Sequence, residues 1–119
     1  MKKVLIVDDS PTERHVLGEL LARNGYEVSA ATNGEEAIAK SKSEMPDLIL
    51  MDVVMPVMNG YQATRKIKRD EKTKYIPVIM CTSKGQETDK IWGVSQGAND
   101  YLVKPINPKV LLEKIAALG

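Results

Sequence analysis

Short, largely apolar runs recur along the chain at Val4–Val7, Val28–Ala31, Leu48–Met51, Val78–Cys81 and Tyr101–Val103. Runs of this length without polar alternation suit strands of a parallel sheet covered on both faces. Val28–Ala31, which contains Ser29, carries the weakest pattern. Between the runs the spacing turns helical. Ser10-Pro11-Thr12-Glu13 reads as a helix start, with Ser10 as N-cap, Pro11 in the first turn and Glu13 closing a capping box. Val16, Leu17, Leu20 and Leu21 then form one apolar stripe, and Gly25 ends the helix. Asn33 can cap a second helix carrying Ala37 and Ile38, and a third follows Gly60 with Ala63 and Ile67 inward. A fourth is expected over Glu87–Gln96, ending at Gly97. The last begins at Asn107-Pro108 and buries Leu111, Leu112 and Ile115. The fourth is the least regular: Gly93 costs about 1 kcal/mol in a helix interior, and Ile91, Trp92 and Val94 make no clean stripe.

Strand and helix alternating five times imply right-handed crossovers and an open, doubly wound α/β sheet. A chain of 119 residues with 43% apolar and 28% charged side chains fits one domain over 1–119, with no linker or attached output domain expected. The 17 basic and 16 acidic residues nearly balance, which argues against a nucleic-acid partner. The one basic cluster, Arg65, Lys66, Lys68, Arg69, Lys72 and Lys74, reads as a solvated helix face. A lone cysteine, Cys81, allows no internal disulfide and reads as a small buried hydrophobe. The opening apolar run is too short for a leader and ends in Asp8-Asp9. No membrane insertion is expected, and the cytoplasm is the expected compartment.

Ligands of open α/β sheets bind outside the carboxyl ends of the strands. The residues that follow the strands here are Asp8-Asp9, Asp52, Thr82-Ser83 and Lys104-Pro105. Three carboxylates gathered in one site repel, so either one takes a proton or a cation sits among them. Oxygen donors favour a hard ion, Mg²⁺ or Mn²⁺, and there is no His/Cys set for zinc: the only histidine, His15, reads as a surface residue. A metal beside a carboxylate, a lysine and a threonine matches phosphoryl transfer. Asp52 would attack phosphorus, while Lys104 and the Thr82 hydroxyl bind the phosphoryl oxygens.

At these positions the sequence resembles the CheY-like receiver domains of two-component signalling. The resemblance rests on Val7-Asp8-Asp9-Ser10, on Leu50-Met51-Asp52-Val53-Val54-Met55-Pro56 with Gly60, on Val78–Thr82, and on Asp100-Tyr101-Leu102-Val103-Lys104-Pro105. It spans essentially the whole chain and implies a flavodoxin-like (βα)5 three-layer fold of strand order 2-1-3-4-5. It further implies that Asp52 is the phosphoacceptor and that Asp9 is a direct metal ligand, with Asp8 acting largely through water. The backbone carbonyl of Val54 would complete the metal's protein ligands. Thr82 and Lys104 would sense the phosphoryl group, Tyr101 would be an aromatic switch, and the Lys104–Pro105 bond would be cis. Val54 and Lys84 fall at positions that modulate phosphoryl lifetime in similar domains.

Ser10-Pro11-Thr12-Glu13 and the stretch from Gln86 to Gly93, continuing through Gln96-Gly97-Ala98, further resemble stand-alone regulators of type IV pilus (twitching) motility. The implied partners are a CheA-like histidine kinase as phosphodonor and a downstream motility protein. The latter would read the face of the fourth helix, fifth strand and fifth helix, and the protein would be a monomer. It would not be an enzyme beyond losing its own phosphoryl group. An alternative role is a phosphate sink draining a shared kinase.

Other magnesium-dependent or nucleotide-binding readings fit less well. An aspartate-nucleophile phosphatase needs a second acid two residues after the nucleophile, where this chain has Val54. A flavin or nucleotide module needs a Gly/Ser/Thr-rich cradle after the first strand, where this chain has Asp8-Asp9.

Overall fold

A computed structural model describes residues 3–83 and 97–118. The apolar runs form five strands: β1 (Lys3–Val7), β2 (Glu27–Ala31), β3 (Leu48–Asp52), β4 (Val78–Thr82) and β5 (Asp100–Val103). Four helices are described: α1 (Pro11–Arg23), α2 (Gly34–Glu44), α3 (Gly60–Arg69) and the C-terminal α4 (Pro108–Leu118). The helix expected over Glu87–Gln96 lies outside the described residues, as does Lys84. All strand pairs are parallel, in the order β2-β1-β3-β4-β5. The fold is the CheY-like flavodoxin type, as the resemblance implies.

The period-two alternation of side chains splits each central strand between two cores. Leu5, Val7, Ile49, Met51, Val78 and Met80 face one side, where Ala37 of α2 and Ala63 and Ile67 of α3 cover them. Val4, Ile6, Leu48, Leu50, Ile79 and Cys81 face the other, against Leu17 and Leu21 of α1 and Leu111 and Ile115 of α4. β3 and β4 are buried along their whole length, which is why they read as continuous apolar runs. Burying each such aliphatic side chain contributes roughly 1.5–3 kcal/mol.

Local signals place the helix ends. Asn33 accepts from the Glu36 amide at 2.8 Å, and Asn107 accepts from Lys109 and Val110 at the start of α4. Gly25, at φ +88°, follows α1, with Gly25 N bonded to Ala22 O and Tyr26 N to Leu21 O, the Schellman pairing. Two expectations need correction. Val16 is 56% exposed, because Leu17 and Leu21 point at the sheet and Val16 lies about 100° round the helix from Leu17. Lys68 is no solvated residue of the basic face. Its ammonium turns in to bond Ile76 O at 2.6 Å and Asn99 Oδ1 at 3.1 Å, tying α3 to the start of β4 and β5. Burial lowers its pKa.

Candidate functional site

The register aligns the carboxyl ends of four strands: Val7 is level with Met51, Asp52 with Cys81, and Thr82 with Val103. Each strand therefore delivers its next side chain to one edge. Asp8 and Asp52 are buried, Thr82 is buried at the end of β4, and Asp9 is exposed. One carboxylate oxygen from each of Asp8, Asp9 and Asp52 lies within 4.8 Å of the others, the only such cluster of metal-ligating side chains among the described residues. Lys104 Nζ bridges Asp8 Oδ2 and Asp52 Oδ1, each at 3.0 Å.

Backbone features hold the cluster together. The N–H of Ser10 donates to Asp8 Oδ1 at 2.9 Å, and the Arg14 guanidinium donates to Asp8 O at 2.8 Å. Ser10 does cap α1, accepting from the Glu13 amide at 3.3 Å. Its own N–H goes to the nearby Asp8 carboxylate, however, where a capping box would send it to Glu13. The full reciprocal box sits instead at α3, between Asn59 and Gln62. Gly60 is a steric requirement: a Cβ there would lie 2.1 Å from Asp52 O, and its N–H bonds Val53 O at 2.8 Å. The Lys104–Pro105 bond is cis, as expected.

The electrostatics follow from crowding. Burial raises the pKa of Asp52, the Lys104 hydrogen bond opposes that, and Asp8 and Asp9 raise it further. Burial works against the Lys104 ammonium, but its bonds to Asp8 and Asp52 outweigh it and its pKa moves up. Beneath them Cys81 is buried and its thiol is pushed up to about 12, chiefly by burial, in keeping with a small packed hydrophobe.

The remaining expected residues fall around this centre. Val54 follows Asp52 by two residues, with its side chain exposed to solvent. Tyr101 lies on β5, partly buried against the core, with the Lys114 ammonium 5.9 Å from its ring centre. His15 is exposed on α1 beside Glu19. Arg14 carries no signal in the sequence beyond its place one turn into the helix that follows Asp8. Lys104, expected at the phosphoryl oxygens, binds Asp8 as well.

Comparison with known proteins bears directly on this arrangement. Residues 4–116 match the response regulator receiver domain family. The chain is 51% identical over 118 residues to protein PilH of Pseudomonas aeruginosa, covering 99% of this chain and 98% of PilH. It is 42% identical to the phosphate regulon regulator PhoB of the same organism, of whose length it spans 51%. Chemotaxis protein CheY4 of Vibrio cholerae superposes with a TM-score of 0.94 at 38% identity, covering 100% of this chain and 99% of that one. The receiver domain of sensor histidine kinase PA1611 from P. aeruginosa, solved with magnesium coordinated in its active-site cleft, superposes at 0.91 with 32% identity, covering 98% of this chain and 96% of that domain. With the family model and PilH both matched over nearly its whole length, the chain belongs to the response regulator receiver domains of two-component signalling.

Proposed function

We propose that Asp52 accepts a phosphoryl group from a histidine kinase with the help of Mg²⁺ or Mn²⁺. The protein then acts as a cytoplasmic regulator, switching protein contacts in type IV pilus motility. The observation that carries this reading is the convergence of Asp52 with Asp8, Asp9 and Lys104. Three ionised carboxylates against one ammonium leave two negative charges, the charge that one divalent cation balances. Asp8, Asp9, Asp52 and the Val54 carbonyl offer hard oxygen donors only, which fits magnesium or manganese. The ion, when bound, supplies positive charge against the phosphoryl oxygens.

The chain's own residues do the rest. A carboxylate oxygen of Asp52 forms the bond to phosphorus as the donor's P–N bond breaks, giving an acyl phosphate. Lys104, already 3.0 Å from Asp52, neutralises one phosphoryl oxygen, and the Thr82 hydroxyl donates to another. Closure of Thr82 lets Tyr101 pack further inward, and a partner that prefers the closed form reads the change. Similarity to PilH supports the pilus assignment.

The test is incubation with acetyl phosphate or a phosphorylated histidine kinase in the presence of Mg²⁺. The expected product is one base-labile acyl phosphate, blocked by EDTA and missing in Asp52→Asn. Wild-type labelling of Asp52→Asn would move the acceptor elsewhere. Slow loss of the label would fit a signal carrier, and loss within seconds would fit a sink.

A further inference from the structure

Arg14 holds a place that helix stability does not explain. It follows Glu13 in the opening turn of α1, where a cation opposes the positive end of the helix dipole and a carboxylate is the favoured charge. Its guanidinium makes no ion pair with any described residue. It donates instead back across the turn, to Asp8 O at 2.8 Å. The helix start is anchored without that bond. Ser10 caps α1 through the Glu13 amide, and Arg14 N bonds Ser10 O at 3.1 Å.

What the Arg14 bond does follows from which groups at the end of β1 are already held. Asp8 is tied at its N–H by Ala31 O, at Oδ1 by the Ser10 N–H and at Oδ2 by Lys104. Asp9 is different. It is exposed, and it makes no hydrogen bond or ion pair with any described residue. The direction of its side chain is therefore set by the backbone on either side. On the far side, the Ser10 N–H bond to Asp8 Oδ1 closes a turn around Asp9. On the near side lies the peptide joining Asp8 to Asp9. That unit is planar, so holding its carbonyl oxygen holds the plane from which Asp9 departs. The oxygen is the one that Arg14 grips.

We propose that Arg14 is a positioning residue for the divalent cation: by clamping the Asp8 carbonyl it keeps the otherwise unheld Asp9 carboxylate beside those of Asp8 and Asp52. This rests on the reading of Asp9 as a direct metal ligand. The guanidinium acts on the cluster in two opposing ways, which makes the sign of a substitution informative. Its charge repels a cation, so removing charge alone would tighten metal binding. Its hydrogen bond orders a ligand in advance, so removing the bond loosens metal binding. Arg14 is half-buried, and its charge is screened by solvent and salt, whereas the charge-assisted bond to Asp8 O is local and directional. The ordering effect is the larger of the two.

The test is calorimetric titration of Mg²⁺ into the full chain with no phosphodonor present. Arg14→Ala and Arg14→Met should each raise the Mg²⁺ dissociation constant by about tenfold, the lower end of what losing a group that orients a ligand costs. Arg14→Met keeps the aliphatic stem, so it carries the test if Arg14→Ala unfolds. Arg14→Lys keeps the charge and a shorter donor and should fall between these variants and wild type. Arg23→Ala removes a guanidinium that bonds Glu19 O at the other end of α1, and it should leave Mg²⁺ affinity unchanged. A second readout separates ordering of the metal site from chemistry. Labelling by acetyl phosphate across a Mg²⁺ series should show the half-saturating Mg²⁺ raised in Arg14→Met, with the plateau rate within about twofold of wild type. Arg14 variants that bind Mg²⁺ as tightly as wild type, or more tightly, would overturn the proposal and leave the metal site standing. A lowered plateau with an unmoved midpoint would overturn it too. A wild-type chain that binds no Mg²⁺ would overturn both the proposal and the reading beneath it.

Discussion

Lys104 and Lys68 sit at opposite ends of the same sheet, each half-buried and each tying one element to its neighbours. Their partners set them apart. Lys68 meets neutral oxygens, Ile76 O and Asn99 Oδ1, and burial lowers its pKa. Lys104 meets two carboxylates with a third close by, and its pKa rises in spite of burial. A neutral cage fixes a lysine in place and asks for nothing more. A cage of crowded carboxylates leaves negative charge that one ammonium does not cancel, so it holds room for another cation. One end of the sheet is a brace, and the other gathers three carboxylates around one ammonium.

Removing each lysine sharpens the contrast. Lys104→Ala leaves Asp8 and Asp52 buried without their counter-charge, and we expect a loss of about 2–4 kcal/mol in the absence of metal. Mg²⁺ should restore much of that loss. Urea unfolding with and without the ion checks both statements, and a loss indifferent to Mg²⁺ would break the comparison. Lys68→Ala strips hydrogen bonds from neutral acceptors, so the expected cost is smaller, about 1–2 kcal/mol. It should not change with Mg²⁺, and acyl-phosphate formation should proceed at the wild-type rate.

The smallest effect concerns Cys81, under the charged end. With its thiol held near 12, it should stay unreactive to alkylating reagents at pH 8 and react only on unfolding. Because the folded pKa lies above the unfolded one, its protonated form favours the native state up to about pH 8.5, and this contribution fades as pH climbs towards 12. A wild-type stability curve that falls across this interval, flattened in Cys81→Ala, is the expected result.

The parts of the fold that could be read from sequence are those governed by local rules. β3 and β4 are apolar end to end because both faces are covered, and Asn33, Asn107 and Gly25 act through their immediate neighbours. The gathering of Asp8, Asp9, Asp52, Thr82 and Lys104 at one edge follows from parallel strands ending level, which the alternation of elements already implies. What escaped depended on tertiary contacts or competition. Lys68 sits in a basic run indistinguishable from a solvated face until the carbonyl of Ile76 is placed beside it. Ser10 could give its N–H to Glu13 or to Asp8, and only the geometry at the strand end decides. The positive φ of Val57 runs against its residue type, so no propensity argument reaches it.

Calorimetric titration of the purified chain with Mg²⁺ goes straight to whether the acidic cluster is a metal site. One saturable site is expected, abolished or greatly weakened in Asp9→Asn and in Asp52→Asn and unaffected in Lys68→Ala. No saturable binding, or binding that survives both aspartate substitutions, would contradict it.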